Sequence, residues 1–217
     1  MLRFRLFGFP VTVQPLHWLV LALLSGGLLQ LNDRETLLYI LLFMVAGFLS
    51  ILIHELGHAL TMRRFGCRQV AIVLHGMGGE ARYQGGQFSR GQDILVSLAG
   101  PVLQATCGIA VLLLMAPGKG NWPPILDQLL ILFVIISLFW AILNLIPVYP
   151  LDGGQILKGA LDPRRIQLTL RTSIALAVII GILLYRATNT LLFPMLLGFL
   201  AWQNYQMLTH ARNQRGW

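Results

Sequence analysis

Residues 37–62 of this 217-residue chain read LLYILLFMVAGFLSILIHELGHALTM, and this stretch decides the fold class. Its first 17 residues carry no charged side chain. That length approaches the roughly 20 apolar residues that a helix needs to cross the hydrocarbon core of a bilayer. The stretch therefore predicts a membrane-spanning helix with ionisable residues in its last turns.

The composition of the whole chain agrees with a membrane protein. Apolar residues make up 56% of it and charged residues only 11%, whereas soluble domains carry about 25% charged residues. Five further apolar runs are candidate spans, at residues 15–31, 94–116, 129–147, 166–185 and 191–208. We expect an all-α polytopic membrane protein with about six transmembrane helices, in one domain over residues 1–217 and embedded in a lipid bilayer.

The basic residues indicate how such a chain is oriented. The formal net charge is +8, and the Lys and Arg residues lie between apolar runs instead of forming a basic tail or an aromatic-interleaved stripe. Nucleic-acid binding is therefore not expected. With six spans and a cytoplasmic amino terminus, 13 of the 16 basic residues fall in cytoplasmic segments, as the excess of positive charge on that side requires. We predict a multi-pass protein of the cell membrane with both termini cytoplasmic.

Two stretches are not typical of helices. Residues 4–13 contain Gly8 and Pro10, and residues 70–74 and 80–84 flank a glycine-rich turn. The second pattern predicts two short strands, and hence a small membrane-associated β-hairpin or sheet. The sequence leaves open whether this hairpin is a plain surface feature or a functional one, and it leaves the roles of His75 and of Gly78 and Gly79 open.

The sequence His54-Glu55-Leu56-Gly57-His58 carries the strongest chemical signal. Histidines four positions apart project from one face of a helix and can occupy two corners of a tetrahedral zinc site. Glu55 lies beside them and can accept a proton from an attacking water. Ionisable residues within a predicted span are costly unless they serve a function, so we predict a metal site here.

Zinc with two histidines needs a third protein ligand if one position is to stay open for water. Asp152 is the best candidate, because it follows the fourth predicted span in the stretch NLIPVYPLDGG at residues 144–154. The two prolines break the helix, and the two glycines let the backbone turn closely. The alternative is a helix-end turn capped by the Asp152 side chain. The predicted ligands of one Zn²⁺ ion are His54, His58 and Asp152, and other divalent ions stay possible.

These two motifs together resemble the site-two protease family of intramembrane metalloproteases. The resemblance implies that His54, His58 and Asp152 bind zinc, that Glu55 is the catalytic base, and that Asn144 lies in the active site. Asn144 then binds the substrate backbone or the developing oxyanion, or else ties down a broken helix.

The resemblance extends beyond the ligands. Residues 97–101, SLAGP, are similar to a small-residue turn in the family's third helix, although Gly100 taken alone fits plain helix packing. Where the family often has asparagine this chain has Gln104, which puts a secondary polar contact in doubt but not the metal. Family members often carry a PDZ or a paired CBS domain, and we expect a compact form without either.

The expected function is hydrolysis of a peptide bond within or near a transmembrane helix of a protein substrate, close to the cytoplasmic face. The resemblance implies that the sheet edge holds the substrate extended, by strand addition. Two alternatives stay open: a membrane-anchored zinc protease of another class acting on soluble or misfolded segments, and a non-catalytic metal-binding membrane protein. The substrate, the cleaved bond, the regulatory signal and the oligomeric state are not predicted.

Overall fold

Helices dominate the computed structural model, which describes residues 1–27, 33–116 and 122–213. In chain order its elements are β1 (Leu2–Leu6), β2 (Phe9–Val13), α1 (Pro15–Leu24), α2 (Arg34–Arg64), β3 (Arg68–His75), β4 (Gly78–Gln84), α3 (Arg90–Leu114), α4 (Pro124–Asn144), α5 (Asp152–Ala160), α6 (Ile166–Thr188) and α7 (Leu192–Asn213), with a short 3-10 helix at Pro163–Arg165. The prediction of a helical protein with a small sheet is confirmed.

Four helices, α2, α3, α4 and α6, are long and apolar enough to cross a membrane. They coincide with the second to fifth predicted spans. The first predicted span contains α1, which is 10 residues long, and its residues 28–31 lie outside the described part of the chain. The sixth forms α7 but is not among the four. The count of six spans therefore stays a prediction.

The chain divides into two compact units, and the first comprises Met1–Gln87 and Ala99–Leu143. Its apolar core joins side chains of α2 and α4, with side chains of α3 packed against them. The buried members are Leu42, Ala46, Leu132, Phe133 and Ile136. Other apolar residues of α4, such as Ile135 and Ile142, are exposed, as expected for helix faces that contact lipid.

A four-stranded sheet in the order β1-β2-β3-β4 belongs to the same unit. The β1–β2 and β3–β4 pairs are antiparallel, whereas β2 and β3 are parallel, with Val11 opposite Ile72. Alternate residues of β3 are buried, as the pleat of a half-buried strand requires. The predicted strands are confirmed, and β1 and β4 are the edges of the sheet.

The second unit comprises Phe88–Leu98 and Asn144–Trp217. Its core joins α6 and α7 to the loop after α4, and its buried members are Val148, Ala177, Leu197, Leu200 and Ala201. The expectation that Gly153 and Gly154 allow a close backbone turn agrees with their position against the preceding loop, and both residues lie in the first turn of α5, a helix that the sequence did not predict. The prediction of a single domain over residues 1–217 stays a prediction.

Candidate metal centre

His54 and His58 lie one turn apart on α2, and both imidazoles are buried. Their Nε2 atoms are 3.0 Å apart. Two nitrogens bound to one tetrahedral zinc at 2.0–2.1 Å are about 3.3 Å apart. The two rings therefore already converge on a common point at nearly the spacing that one ion requires, as the sequence spacing predicts.

A buried amide holds the first of these rings. Gln104 on α3 is fully buried, and the Nδ1 atom of His54 lies 3.0 Å from its Oε1 atom. The amide nitrogen of Gln104 donates to the carbonyl oxygen of Ser50 (3.3 Å) and to its Oγ atom (2.8 Å). The hydroxyl of Ser137 on α4 donates to the Ser50 Oγ atom at 3.0 Å. This Gln104 network joins one ring of the histidine pair to three helices.

Two glycines bring α2 and α3 close together at the histidines. A Cβ atom on Gly57 would overlap the carbonyl oxygen of Ala99, and a Cβ atom on Gly100 would overlap the ring of His58. Gly100 therefore serves helix packing, which is the interpretation favoured from its sequence context alone, and it also makes room for the ring of His58.

The β3–β4 hairpin lies directly beside Glu55, whose side chain is buried. A Cβ atom on Gly79 would overlap the Cγ atom of Glu55 and would come within 2.6 Å of its Oε1 atom. The hairpin is also tied to α1, because the Nδ1 atom of His17 lies 3.1 Å from the carbonyl oxygen of His75. The side chain of His75 accepts from the backbone N–H of Met77. The hairpin is therefore packed against both α1 and the Glu55 side chain of α2.

Asp152 lies in the second unit, where it is the first residue of α5 and is half-buried. The N-cap residue of this helix is Leu151. A Cβ atom on Gly153 would overlap the carbonyl oxygens of the preceding loop, and one on Gly154 would overlap Tyr149. The loop and the first turn of α5 are therefore packed backbone against backbone.

The same loop is anchored to α6 and α7. The backbone N–H of Tyr149 donates to the Ser173 Oγ atom at 3.1 Å, and the carbonyl oxygen of Tyr149 accepts from the amide of Asn204 at 2.5 Å. Asn144 is half-buried and is the last residue of α4. The helix breaks where the sequence predicts, while the role of Asn144 stays a prediction.

By chemical type, the imidazoles of His54 and His58 and the carboxylate of Asp152 are donors that zinc accepts. This set suits zinc with a fourth position left for water. Sequence reasoning missed Ser50 and Ser137 as supporting residues. The available signal was their polarity within apolar helices, together with the four-residue spacing that puts Ser50 on the face of His54.

Comparisons with known proteins identify relatives of the chain. The profile of Peptidase family M50 matches residues 119–187. A zinc metalloprotease of Methanocaldococcus jannaschii is 29% identical over 164 residues, which are 74% of this chain and 45% of that protein. Stage IV sporulation protein FB of Bacillus subtilis is 29% identical over 79% of this chain and 56% of its own length. The chain thus spans about half the length of these curated relatives.

The fold also has a solved counterpart. A site-2 protease from Methanocaldococcus jannaschii matches with a TM-score of 0.66 and 22% identity, over 95% of this chain and 94% of that one. At this identity the match concerns the fold, and it agrees with the mixture of apolar helices and a small sheet described above.

Proposed function

We propose that the chain is an intramembrane zinc metalloprotease, because the comparisons identify it as a relative of the site-two protease family of zinc metalloproteases. The observation that carries the proposal is the buried group of His54, Glu55 and His58 on an apolar helix long enough to cross a membrane. Such groups are expensive in lipid unless they bind or react. Their converging Nε2 atoms favour a metal, and the adjacent carboxylate favours hydrolysis.

We propose His54, His58 and Asp152 as the ligands of one zinc ion. Two histidines and one carboxylate form a three-ligand set of the catalytic type, which leaves a position for water. When bound, zinc would polarise the scissile carbonyl and acidify the attacking water. The motif around Asp152 supports its role, because the tight packing of the loop against the start of α5 holds the backbone next to this residue in place.

Glu55 is the proposed general base. Its side chain is buried next to the first histidine, so a water attacking the peptide carbonyl can pass its proton to this carboxylate. The same group can then deliver the proton to the departing amine. Asn144 is proposed to bind the substrate backbone or to donate to the developing oxyanion, as the family resemblance implies.

The proposed substrate is a membrane protein, cut within or near a transmembrane helix close to the cytoplasmic face. A peptide bond inside a helix is hydrogen-bonded internally, so the substrate must be unwound before water can reach it. The edge strand β4 supports a mechanism for this step, because strand addition would hold the substrate extended and Gly79 of this strand lies against Glu55. Six spans with both termini cytoplasmic fit the distribution of positive charge.

The test uses the purified 217-residue chain in detergent with a single-span reporter protein. We expect wild type to hold one zinc ion per chain and to cut within the reporter's span. Glu55→Gln should keep the zinc and lose about 10²- to 10⁴-fold in cleavage rate, while Asp152→Ala should lose both. Glu35→Gln, in the first turn of the same helix, and Asp127→Ala, in the first turn of α4, are the matched controls and should keep both.

Each alternative interpretation predicts a different outcome. A non-catalytic metal protein would hold zinc and leave every reporter uncut, with wild type and Glu55→Gln behaving alike. A zinc protease of another class would cut soluble or unfolded segments in preference to the span, and it would keep its metal in Asp152→Ala. A wild-type protein that holds no metal under any loading condition would contradict the proposal as a whole.

A further inference from the structure

We propose that Gln104 is a positioning residue that holds the His54 ring in the orientation and the tautomer needed to bind zinc. The inference rests on the proposed function, because it concerns how one of the proposed ligands is prepared. The first supporting observation is the burial of Gln104. Gln104 has no exposed surface and lies on α3, a helix apolar enough to span a membrane. An amide in such surroundings is costly unless its donors and acceptor are used.

The contacts determine which end of the amide faces the histidine. The backbone carbonyl of Ser50 can only accept a hydrogen bond, and it lies 3.3 Å from one amide atom of Gln104. That atom must therefore be the nitrogen, because two acceptors do not bond to each other. The amide oxygen consequently faces the Nδ1 atom of His54 at 3.0 Å.

The orientation of the Gln104 amide in turn determines which nitrogen of the His54 ring carries the proton. An oxygen acceptor at Nδ1 requires a proton on that nitrogen, so the lone pair of a neutral His54 is on Nε2. Nε2 is the atom that lies 3.0 Å from Nε2 of His58. Partners of this kind fix the tautomer and the direction of metal-binding histidines and raise their affinity for the metal.

Ser50 and Ser137 hold the Gln104 amide in place through hydrogen bonds. Its nitrogen donates to both oxygens of Ser50, and the hydroxyl of Ser137 donates to the same Ser50 Oγ atom. Both serines are fully buried. The Gln104 network also ties α2, α3 and α4 together, so a purely structural role is the competing explanation. The two roles depend on different atoms. A structural role in joining the helices needs the contacts with the serines, whereas positioning of the ring needs the Gln104 oxygen that faces His54.

The experiment measures zinc affinity by chelator competition and the visible spectrum of the cobalt(II)-loaded protein. Gln104→Met keeps the side-chain length and removes the oxygen, and we expect it to bind zinc about 10- to 100-fold more weakly, with an altered cobalt spectrum. Gln104→Glu keeps an oxygen acceptor for Nδ1, and its neutral form has a hydroxyl that can donate to Ser50 in place of the amide nitrogen, so this variant should recover most of the affinity and the wild-type spectrum. Ser137→Ala, which removes only the far end of the network, should weaken zinc less than Gln104→Met does.

Gln128→Met on α4 is the matched control and should bind zinc as wild type does, and thermal unfolding in detergent shows whether each variant is folded. The inference is overturned if folded Gln104→Met keeps wild-type zinc affinity, or if Ser137→Ala weakens zinc as much as Gln104→Met. It is also overturned if Gln104→Glu, the acceptor-retaining variant, folds and still loses the metal. If wild type itself binds no zinc, the proposed function fails as well; a zinc-loaded, active wild type with an unaffected Gln104→Met refutes this inference alone.

Discussion

The histidine segment of α2, residues 54–58, and the aspartate segment, residues 144–154, carry the proposed ligands, and the protein builds these two segments by different means. The histidines lie within a continuous helix of 31 residues, where direction is set by helical spacing. Their support combines the Gln104 side chain on one ring with the close approach of the α3 backbone at Gly100 to the other. A regular element thus needs only local help to aim its polar groups.

The aspartate segment has no regular element before Asp152. Its direction depends on backbone packing between the loop and the start of α5, and on the two hydrogen bonds of Tyr149 to Ser173 and Asn204. A ligand whose position depends on an irregular segment is sensitive to added volume in that segment. The difference predicts that substitutions in the aspartate segment disturb both folding and metal binding, whereas substitutions of the groups that contact the histidine rings mainly disturb the metal.

We expect the largest difference in zinc retention and thermal midpoint between two glycine substitutions, one in the aspartate segment and one next to the histidine segment. Gly153→Ala places a methyl group on backbone carbonyl oxygens, which can move only if the loop moves. We expect it to abolish zinc retention and cleavage and to lower the thermal midpoint, since such overpacking costs about 1–3 kcal/mol. Gly100→Ala meets the ring of His58 instead, and should weaken zinc binding with a smaller change in midpoint.

The control for both is Gly198→Ala on α7, where a Cβ atom meets nothing within 4 Å. Alanine is the better helix former by about 1 kcal/mol, so this variant should keep zinc and unfold at the same temperature or higher. Wild-type zinc content in Gly153→Ala would contradict the description of the aspartate segment as packed backbone against backbone.

A second prediction concerns the base beside the histidines. Gly79→Ala should push the Glu55 carboxylate or the hairpin aside, because the new methyl group overlaps the Cγ atom of Glu55. We expect zinc to be retained and cleavage to fall by about 10²-fold, the scale of a 1 Å misplacement of a catalytic group. Gly91→Ala at the start of α3, where no atom lies within 4 Å, should leave both unchanged. Joint loss of zinc and cleavage in Gly79→Ala would show that the hairpin supports the metal ligands instead of the base.

The same contrast explains how far the sequence could predict the molecule. Spacing alone predicts that His54 and His58 share a face, because helical geometry is local, and the structure confirms their convergence. The four central spans and the strand pattern are likewise local. The parallel pairing of β2 with β3 was not predictable, because it joins residues about 60 positions apart, such as Val11 and Ile72. The role of Gln104 depends on a partner 50 residues away, so its sequence position indicated only an uncertain polar contact.

The helix α5 shows the opposite limitation. Gly153 and Gly154 have low helix propensity, and the sequence did not predict the helix that begins here. Tertiary packing decides this case, since both glycines are buried against the preceding loop and no larger residue fits there. Local propensity was a poor guide at the position where the packing is tightest.

A third prediction tests the anchoring of the aspartate segment by α6 and α7. Asn204→Leu removes the donor to the carbonyl oxygen of Tyr149, and Ser173→Ala removes the acceptor of its N–H. An unpaired buried backbone group costs about 1–3 kcal/mol, so each variant should lower the thermal midpoint and weaken zinc retention to a smaller extent than Gly153→Ala. The double variant should cost less than the two single effects combined, because both act on one peptide segment.

Thr172→Ala is the matched control for the serine, because the exposed Thr172 hydroxyl bonds only within its own helix, to the carbonyl oxygen of Leu168. It should unfold as wild type does. Asn204→Leu and Ser173→Ala could instead lower the thermal midpoint without any change in zinc retention. The hydrogen bonds of Tyr149 would then not help to position Asp152, and only the packing of the glycines would distinguish the aspartate segment from the histidine segment.

The smallest expected effect lies in the connection after α5, where Asp162 accepts from the backbone N–H of Arg164 and pairs with Arg90 at 2.7 Å. The backbone hydrogen bond, together with the Arg90 and Arg164 charges, lowers the pKa of the Asp162 carboxyl below its usual value. A lowered folded-state pKa means that the ionised carboxylate stabilises the fold above the unfolded-state pKa, and that this contribution is lost as the pH falls through the folded-state pKa. Asp162→Asn keeps the side-chain oxygen and tolerates the positive φ of this residue, so we expect it to lower the thermal midpoint slightly at pH 7 and not at all in acid. High salt should also reduce the difference in thermal midpoint between wild type and Asp162→Asn, because the ion pair lies at the surface. If that difference persists at low pH, the effect comes from the hydrogen bond and not from the charge.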